Sequence, residues 1–91
     1  MANTPSAKKR IRLTARQTAR NRAIRSTYRT AIKRFEKALA ENDLEKAREL
    51  LRVAISRIDW AVTKGVIHKN AANRRKSRLT KRLNQAQAQA S

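Results

Sequence analysis

The apolar residues of this chain recur with the spacing of α-helices in three successive stretches. The first stretch holds five large apolar residues at steps of three or four: Ile24, Tyr28, Ile32, Phe35 and Leu39. This spacing puts all five side chains on one face of a helix. Continued towards the amino terminus, the same face becomes polar at Asn21, Gln17, Thr14 and Arg10. The apolar stripe therefore starts near Ile24.

The helix itself is predicted to begin much earlier than its apolar stripe. Thr4 and Pro5 read as an N-cap followed by proline at the first helical position. No helix-breaking residue follows before Glu41-Asn42-Asp43, so helix 1 is predicted over residues 5–40. At 1.5 Å per residue it would be about 50 Å long. Its first half has no apolar face to bury, so we expect that half to fray in the free protein and to become ordered along phosphates.

A second helix is predicted over residues 43–64. Asn42-Asp43 is predicted to cap its start, with Asn42 and Glu45 at the spacing of a capping box. Its apolar stripe has near-heptad spacing: Leu44, Ala47, Leu51, Ala54, Ile55, Ile58, Ala61 and Val62. Gly65, the only glycine in the chain, follows at the position where a left-handed residue ends a helix.

A third helix is predicted over residues 68–86. The tail at residues 87–91, part of the Gln and Ala stretch from Gln85, either extends the helix by a turn or two or frays, and has no assigned role. Its inward line runs through Ala72, Lys76, Leu79, Leu83 and Ala86, with His68 one turn earlier. Short connections make neighbouring helices antiparallel. The pattern therefore predicts an all-α protein: an up-down-up three-helix bundle with the basic amino-terminal half of helix 1 projecting beyond it, in a single domain.

Charge is divided unevenly along the 91 residues, whose net charge is +18. Residues 1–34 hold eleven Lys or Arg, residues 35–63 five, and residues 64–91 eight, while all six acids lie in the middle segment. Two acid-free cationic blocks exceed what solubility requires. Their natural counterpart is nucleic acid.

Several classes of function lack the residues they need. There is no cysteine, and the single histidine, His68, has no acid nearer in sequence than Asp59, so no metal site, cofactor or catalytic centre is predicted. The acids of helix 2 alternate with cations at salt-bridging spacing, which is typical of a solvated face. No apolar run approaches the roughly 20 residues of a membrane span. The amino terminus lacks the apolar core of a secretory signal, and its basic pattern runs on without a break, unlike a transit peptide. We therefore expect a cytoplasmic protein with no small-molecule substrate.

Three single residues, His68, Asp59 and Trp60, each allow two interpretations, and a fourth, Ser77, allows one. His68 is a cap or loop-packing residue, or contacts phosphate or ribose. Asp59 forms an ordinary salt bridge of the bundle, or orients the cations of the turn at residues 64–70. Trp60 packs partly on the surface, or stacks on a base. Ser77 has no partner base and would offer its hydroxyl to phosphate.

The predicted nucleic-acid contacts come from both cationic blocks. From helix 1 they are Lys8, Lys9, Arg10, Arg12, Arg16, Arg20, Arg22, Arg25 and Arg29. From the second block they are Lys64, His68, Lys69, Asn70, Arg74, Arg75, Lys76, Ser77, Arg78, Lys81 and Arg82. Arg grips phosphate bidentately and Lys acts as a mobile charge. With one Trp, one Tyr and one Phe, the chain has no aromatic platform for reading bases, so we expect recognition of backbone and shape.

The run Lys64–Ala72, KGVIHKNAA, and the basic RRKSRL that follows at residues 74–79 resemble the bacterial family of small-subunit ribosomal protein number twenty. SAKKR at residues 6–10 and RTAIK at residues 29–33 are similar to the same family, so the resemblance covers nearly the whole chain. It departs at Trp60, where a small or charged residue is more usual, and at Asn73, where alanine is common.

The resemblance implies a three-helix bundle that binds 16S rRNA directly, as a structural constituent of the small subunit that helps assembly. It implies contacts with the 5′ domain of the RNA and with the long stem near its 3′ end. Other small-subunit proteins are possible neighbours. The resemblance also implies that Lys8–Arg29 is an arm embedded in RNA and that Lys64–Arg82 is a second RNA face. The charge pattern alone also suits a nucleoid-type DNA-binding protein. A membrane-surface helix would need an exposed apolar face, which the bundle uses up.

Overall fold

A computed structural model describes residues 5–90, which form three α-helices. They are α1 (Pro5–Ala40), α2 (Leu44–Thr63) and α3 (Lys69–Ala90). The predicted all-α three-helix architecture is confirmed, and Pro5 is the first helical residue as expected. The N-cap predicted at Thr4 lies outside the described residues. None of the three helices is both long and apolar enough to cross a membrane.

The core is an apolar seam along α1 and α2 in which buried residues alternate at steps of four and three. On α1 the seam consists of Ile24, Tyr28, Ala31, Phe35 and Ala38. On α2 it consists of Ala47, Leu51, Ala54, Ile58 and Ala61. This is the spacing of coiled-coil helices, whose side chains interdigitate at a small crossing angle. The short connection at residues 41–43 makes α1 and α2 antiparallel. The five alanines let the two helices approach closely, while Phe35 and Ile58 are completely buried.

Helix α3 packs on α2 and closes the core with Ala72, Leu79 and Leu83. Its direction is given by contacts with the other two helices. Arg75 and Arg82 of α3 lie level with Tyr28 and Glu36 of α1, so α3 runs parallel to α1 and antiparallel to α2. This is the predicted up-down-up order.

The connection between α1 and α2 confirms the predicted cap at Asp43 but not the capping box of Asn42 with Glu45. Asn42 has a left-handed backbone (φ 58°), and Asp43 N–H donates to the Ala38 carbonyl at 3.0 Å, which closes the end of α1. Asp43 is the N-cap of α2, because its Oδ1 accepts from the backbone N–H of Lys46 at 3.2 Å. The predicted capping box of Asn42 and Glu45 is therefore wrong. Asn can serve as an N-cap or adopt the left-handed region, and here the neighbouring Asp takes the cap.

Gly65 ends α2 as predicted. Its φ is +73°, its N–H donates to the Val62 carbonyl at 2.9 Å, and Val66 N–H donates to the Ala61 carbonyl at 3.0 Å. These two bonds form a Schellman motif, whose usual apolar contact is supplied by Val66 packing against the core. The turn into α3 is thus set by backbone geometry.

Helix α3 begins after His68 and runs further than predicted. The His68 carbonyl accepts from Ala72 N–H at 3.0 Å, and His68 Nδ1 accepts from Asn70 N–H at 3.1 Å, so His68 caps α3. The helix continues to Ala90, which corrects the predicted end at 86 and includes most of the supposed tail. Gln and Ala are strong helix formers, and no Gly or Pro interrupts them.

The molecule is elongated because α1 outruns its partners. The radius of gyration is 18.0 Å, against about 12 Å for a compact domain of this length. The longest dimension is 66 Å. Residues 6–23 of α1, which we call the arm, precede the seam and extend past the bundle.

We expect Gly65→Val to lower the melting temperature of the free protein by at least about 4 °C, since left-handed backbone costs a residue with a side chain about 1–2 kcal/mol. A Cβ placed at Gly65 would meet no atom within 4 Å, so the strain is conformational and not steric. Gly65→Asn is the matched control and should lose less than half as much, because Asn tolerates this region. Equal losses measured by circular dichroism would contradict the backbone explanation.

We also expect the arm to open far more readily than the bundle in the free protein. Amide hydrogens of residues 10–20 should exchange with solvent much faster than those of residues 28–38, because helical hydrogen bonds without a buried face are weakly protected. Hydrogen exchange followed by NMR measures both segments in one sample. Equal protection of the two segments would show that the arm is stable by itself.

Candidate nucleic-acid interface

The arm presents its cations to solvent on most sides of the helix. Every side chain from Lys8 to Arg20 is exposed. All nine cations predicted on helix 1 are exposed: Lys8, Lys9, Arg10, Arg12, Arg16, Arg20, Arg22, Arg25 and Arg29. Successive residues are about 100° apart on a helix, so these positions cover most directions around the axis. A helix of this kind suits an anionic environment on several sides.

The hydroxyls of the arm serve its own backbone. Thr14 Oγ1 donates to the Arg10 carbonyl and Thr18 Oγ1 to the Thr14 carbonyl, both at 3.0 Å. The larger apolar residues of the arm, Ile11 and Leu13, remain 56% and 46% exposed. The guanidinium and ammonium groups are the charged donors that the arm offers to a partner.

The root of the arm contacts the turn between α2 and α3. Arg20 Nη2 donates to the Lys64 carbonyl at 3.4 Å, close to the carboxyl end of α2, where backbone carbonyls carry partial negative charge. Lys64 and Lys69 are exposed on the same turn. The two cationic blocks, far apart in sequence, are thereby joined in space.

Helix α3 carries its free polar groups on one face. Asn70, Arg74, Ser77, Arg78 and Lys81 are all exposed and lie opposite the buried line of Ala72, Leu79 and Leu83. Unlike the arm, this surface is one-sided, because the other side of α3 packs on the bundle. We call it the α3 face.

Three predicted contact residues of α3 also hold the helix in place. Lys76 Nζ lies 2.7 Å from Asp59 Oδ1, and Arg82 Nη1 lies 3.0 Å from Glu36 Oε1. The Arg75 guanidinium carbon sits 5.7 Å from the centre of the Tyr28 ring, a cation–π contact. Partly exposed ion pairs of this kind stabilise a fold by about 0–1 kcal/mol each, so their main effect is to orient α3.

One interpretation of each residue is observed: Asp59 forms a salt bridge of the bundle and His68 caps a helix. Contact of His68 with phosphate or ribose stays a prediction. Asp59 forms a salt bridge of the bundle with Lys76, away from the turn at residues 64–70. Lys76 occupies an inward position and is half-buried, with its stem along the core and its ammonium on Asp59. His68 caps α3 through Nδ1, which leaves Nε2 as the ring nitrogen that carries the proton in the neutral form.

The predicted contacts of helix 1 omit Lys33, which lies beyond the arm. Lys33 is exposed and lines a shallow depression on α1 together with Arg22, Arg25 and Arg29. It follows Arg29 by four residues within the acid-free block, and that spacing could have found it. Trp60 is 39% exposed on α2, which agrees with partial surface packing.

The polar groups of the described residues have the chemistry of a binding surface. Within residues 5–90, no three His, Asp or Glu side chains come close enough together to hold a metal ion. In that same part of the chain, every buried side-chain nitrogen or oxygen has a hydrogen-bond partner. The available donors are exposed cations at the spacing of one or two helical turns, which suits rows of phosphate oxygens.

Comparison with known proteins gives a consistent result. A family model described as "Ribosomal protein S20" matches residues 2–84. The chain is 61% identical to "Small ribosomal subunit protein bS20" of Carboxydothermus hydrogenoformans over 84 residues, covering 92% of this chain and 90% of the relative. It is 56% identical to the protein of the same name from Desulforamulus reducens over 92% of this chain and 96% of the relative. The protein of the same name from Geobacillus kaustophilus is 50% identical over 97% of this chain and 99% of the relative.

These matches confirm the resemblance that the KGVIHKN run and its basic neighbours predicted. They extend from the arm through α3, so they include both cationic surfaces. The chain belongs to the ribosomal protein S20 family.

Proposed function

We propose that the protein binds 16S rRNA directly, through contacts of the arm and the α3 face with phosphate groups, and stabilises the fold of that RNA during assembly. The arm would lie between RNA segments, and the α3 face would lie along the surface of one. The family resemblance supports the 5′ domain of this RNA and the long stem near its 3′ end as the regions that the protein contacts. Other small-subunit proteins are proposed neighbours.

One observation supports this proposal more than any other. The arm exposes cations in most directions around a helix that extends past its own protein core. A helix lying on a flat surface would need charge on one side only. Cations on most sides gain most where phosphates lie on several sides of the helix, as they do between packed RNA segments.

Family membership sets the broader role. The protein is a structural component of the small ribosomal subunit and not an enzyme, which confirms the corresponding predictions. Its place is the ribosome, in the cytoplasm. The exposed cations support a more specific role, direct contact with 16S rRNA.

Competition between RNA and DNA tests the proposal. At moderate salt, the purified protein should sediment with 16S rRNA and should be displaced by added rRNA but not by an equal mass of duplex DNA. Shape recognition favours the wide, shallow minor groove of A-form RNA over B-form DNA. Stronger retention on duplex DNA would instead favour the nucleoid-type function.

A charge variant of the arm tests which cations bind. Replacing Arg12, Arg16 and Arg22 by Ala should reduce the slope of log K against log salt for rRNA binding by about 2, since each neutralised phosphate contributes roughly 0.7. The melting temperature of the free protein should hardly change, because all three side chains are exposed. Filter binding over a salt series measures the slope.

The matched control removes the same charge from α2. Lys46, Arg48 and Arg52 are exposed cations outside both predicted surfaces. Their replacement by Ala lowers the net charge equally, so a similar loss of slope in both variants would indicate attraction to total charge and not a defined surface. A large loss of melting temperature in the arm variant would show that the arm belongs to the core.

A further inference from the structure

The bundle is open on one side, where α1 and α3 face each other. These two helices approach each other less closely than either approaches α2. Between them runs a groove of about 460 Å³, which falls in the range of about 300–1,000 Å³ typical of small-ligand sites. Side chains bridge the groove at its ends, where Arg75 reaches Tyr28 and Arg82 reaches Glu36.

The lining of the groove combines three kinds of chemistry. Its floor is apolar and comes from Ile32, Ala71 and Leu79. Arg74 and Arg78, one helical turn apart, are exposed at its edge. Glu36 contributes a carboxylate, one of only six acids in the chain.

We propose that this groove binds an unstacked guanine of the RNA, with the base on the apolar floor and its phosphate on Arg74 and Arg78. The inference rests on the proposed RNA-binding function and adds a base-specific site to a surface otherwise suited to phosphates. Splayed-out bases are commonly held by stacking on guanidinium planes and by hydrogen bonds to their Watson–Crick edge.

A phosphate alone accounts poorly for this lining. An apolar floor gives a phosphate oxygen no donor, and the Glu36 carboxylate repels it. A nucleobase has two apolar faces and a polar edge, so it matches a floor of aliphatic side chains flanked by guanidinium groups. The apolar floor therefore suits the base of a nucleotide, and the guanidinium groups at the edge suit its phosphate.

Glu36 selects among the bases. A carboxylate only accepts hydrogen bonds, and its bond to Arg82 uses Oε1, while two carboxylate oxygens together offer about four lone-pair positions. Guanine presents N1–H and the N2 amino group side by side, so it can donate twice to the carboxylate. Uracil presents a single N–H between two carbonyl oxygens, which the carboxylate repels.

The test uses mononucleotides and the full-length protein, with methyl groups of Ile32, Ala71 and Leu79 observed by NMR. Guanosine monophosphate should shift these signals saturably and bind at least about fivefold more tightly than uridine monophosphate, as expected for a bidentate base contact. Inorganic phosphate should affect the Arg74 and Arg78 side chains and leave the methyl groups unchanged. Equal methyl shifts with all three probes, or none with guanosine monophosphate, would overturn the proposal.

Two variants separate recognition by Glu36 from its ion pair. Glu36→Gln should bring the preference for guanosine over uridine monophosphate below about twofold, whereas Arg82→Gln breaks the same ion pair and should keep the preference. Melting curves confirm that each variant folds. Loss of the preference in both variants would assign it to the ion pair and overturn the role of the carboxylate. Intact salt-dependent rRNA binding with no guanine preference would reject the groove site alone and leave the proposed function standing.

Discussion

The architecture depends on where the apolar seam of α1 begins. The seam occupies residues 24–38 of α1 and is matched by residues 47–61 of α2, so the two buried lines have equal length. Left-handed residues at Asn42 and Gly65 end α1 and α2 and fix the length of α2. Neither α2 nor α3 can then cover the arm, and its exposure follows from the seam's starting point. The position at which the apolar seam begins therefore determines both the bundle and the cationic arm that projects from it.

The orientation of α3 needs more than its apolar contacts. Ala72, Leu79 and Leu83 form a narrow line, which by itself allows the helix to roll on α2. Lys76 reaches Asp59 on the α2 side, while Arg75 and Arg82 reach α1 on the other. Contacts on both flanks fix the rotation about the helix axis, even though each is weak. The α3 face points outward because Lys76, Arg75 and Arg82, cations of the same basic block, bind α2 and α1 on the opposite side of the helix.

Sequence periodicity was sufficient for the three helices, their order and the projecting arm, because four-three spacing and a lone glycine have few structural alternatives. It failed where one residue type has two uses. Asn42 resembled an N-cap but adopts the left-handed conformation that closes α1. For the final Gln and Ala residues the sequence left open whether the helix continues or frays, and α3 continues to Ala90. Helical spacing already placed Lys76 on the inward line of α3, away from Arg74 and Arg78. It could not name the partners of Lys76, Arg75 and Arg82, because these lie on other helices.

The two proposed RNA surfaces differ in what they require of the RNA. The α3 face is one-sided and can lie on a single RNA element, whereas the arm needs phosphates on several sides. Arg20 joins them at the α2–α3 turn, so binding at one surface positions the other. The second contact then becomes intramolecular and benefits from a high effective concentration. A protein with a core this small and a net charge of +18 gains stability from such a partner, because each phosphate it neutralises also relieves repulsion among its own cations.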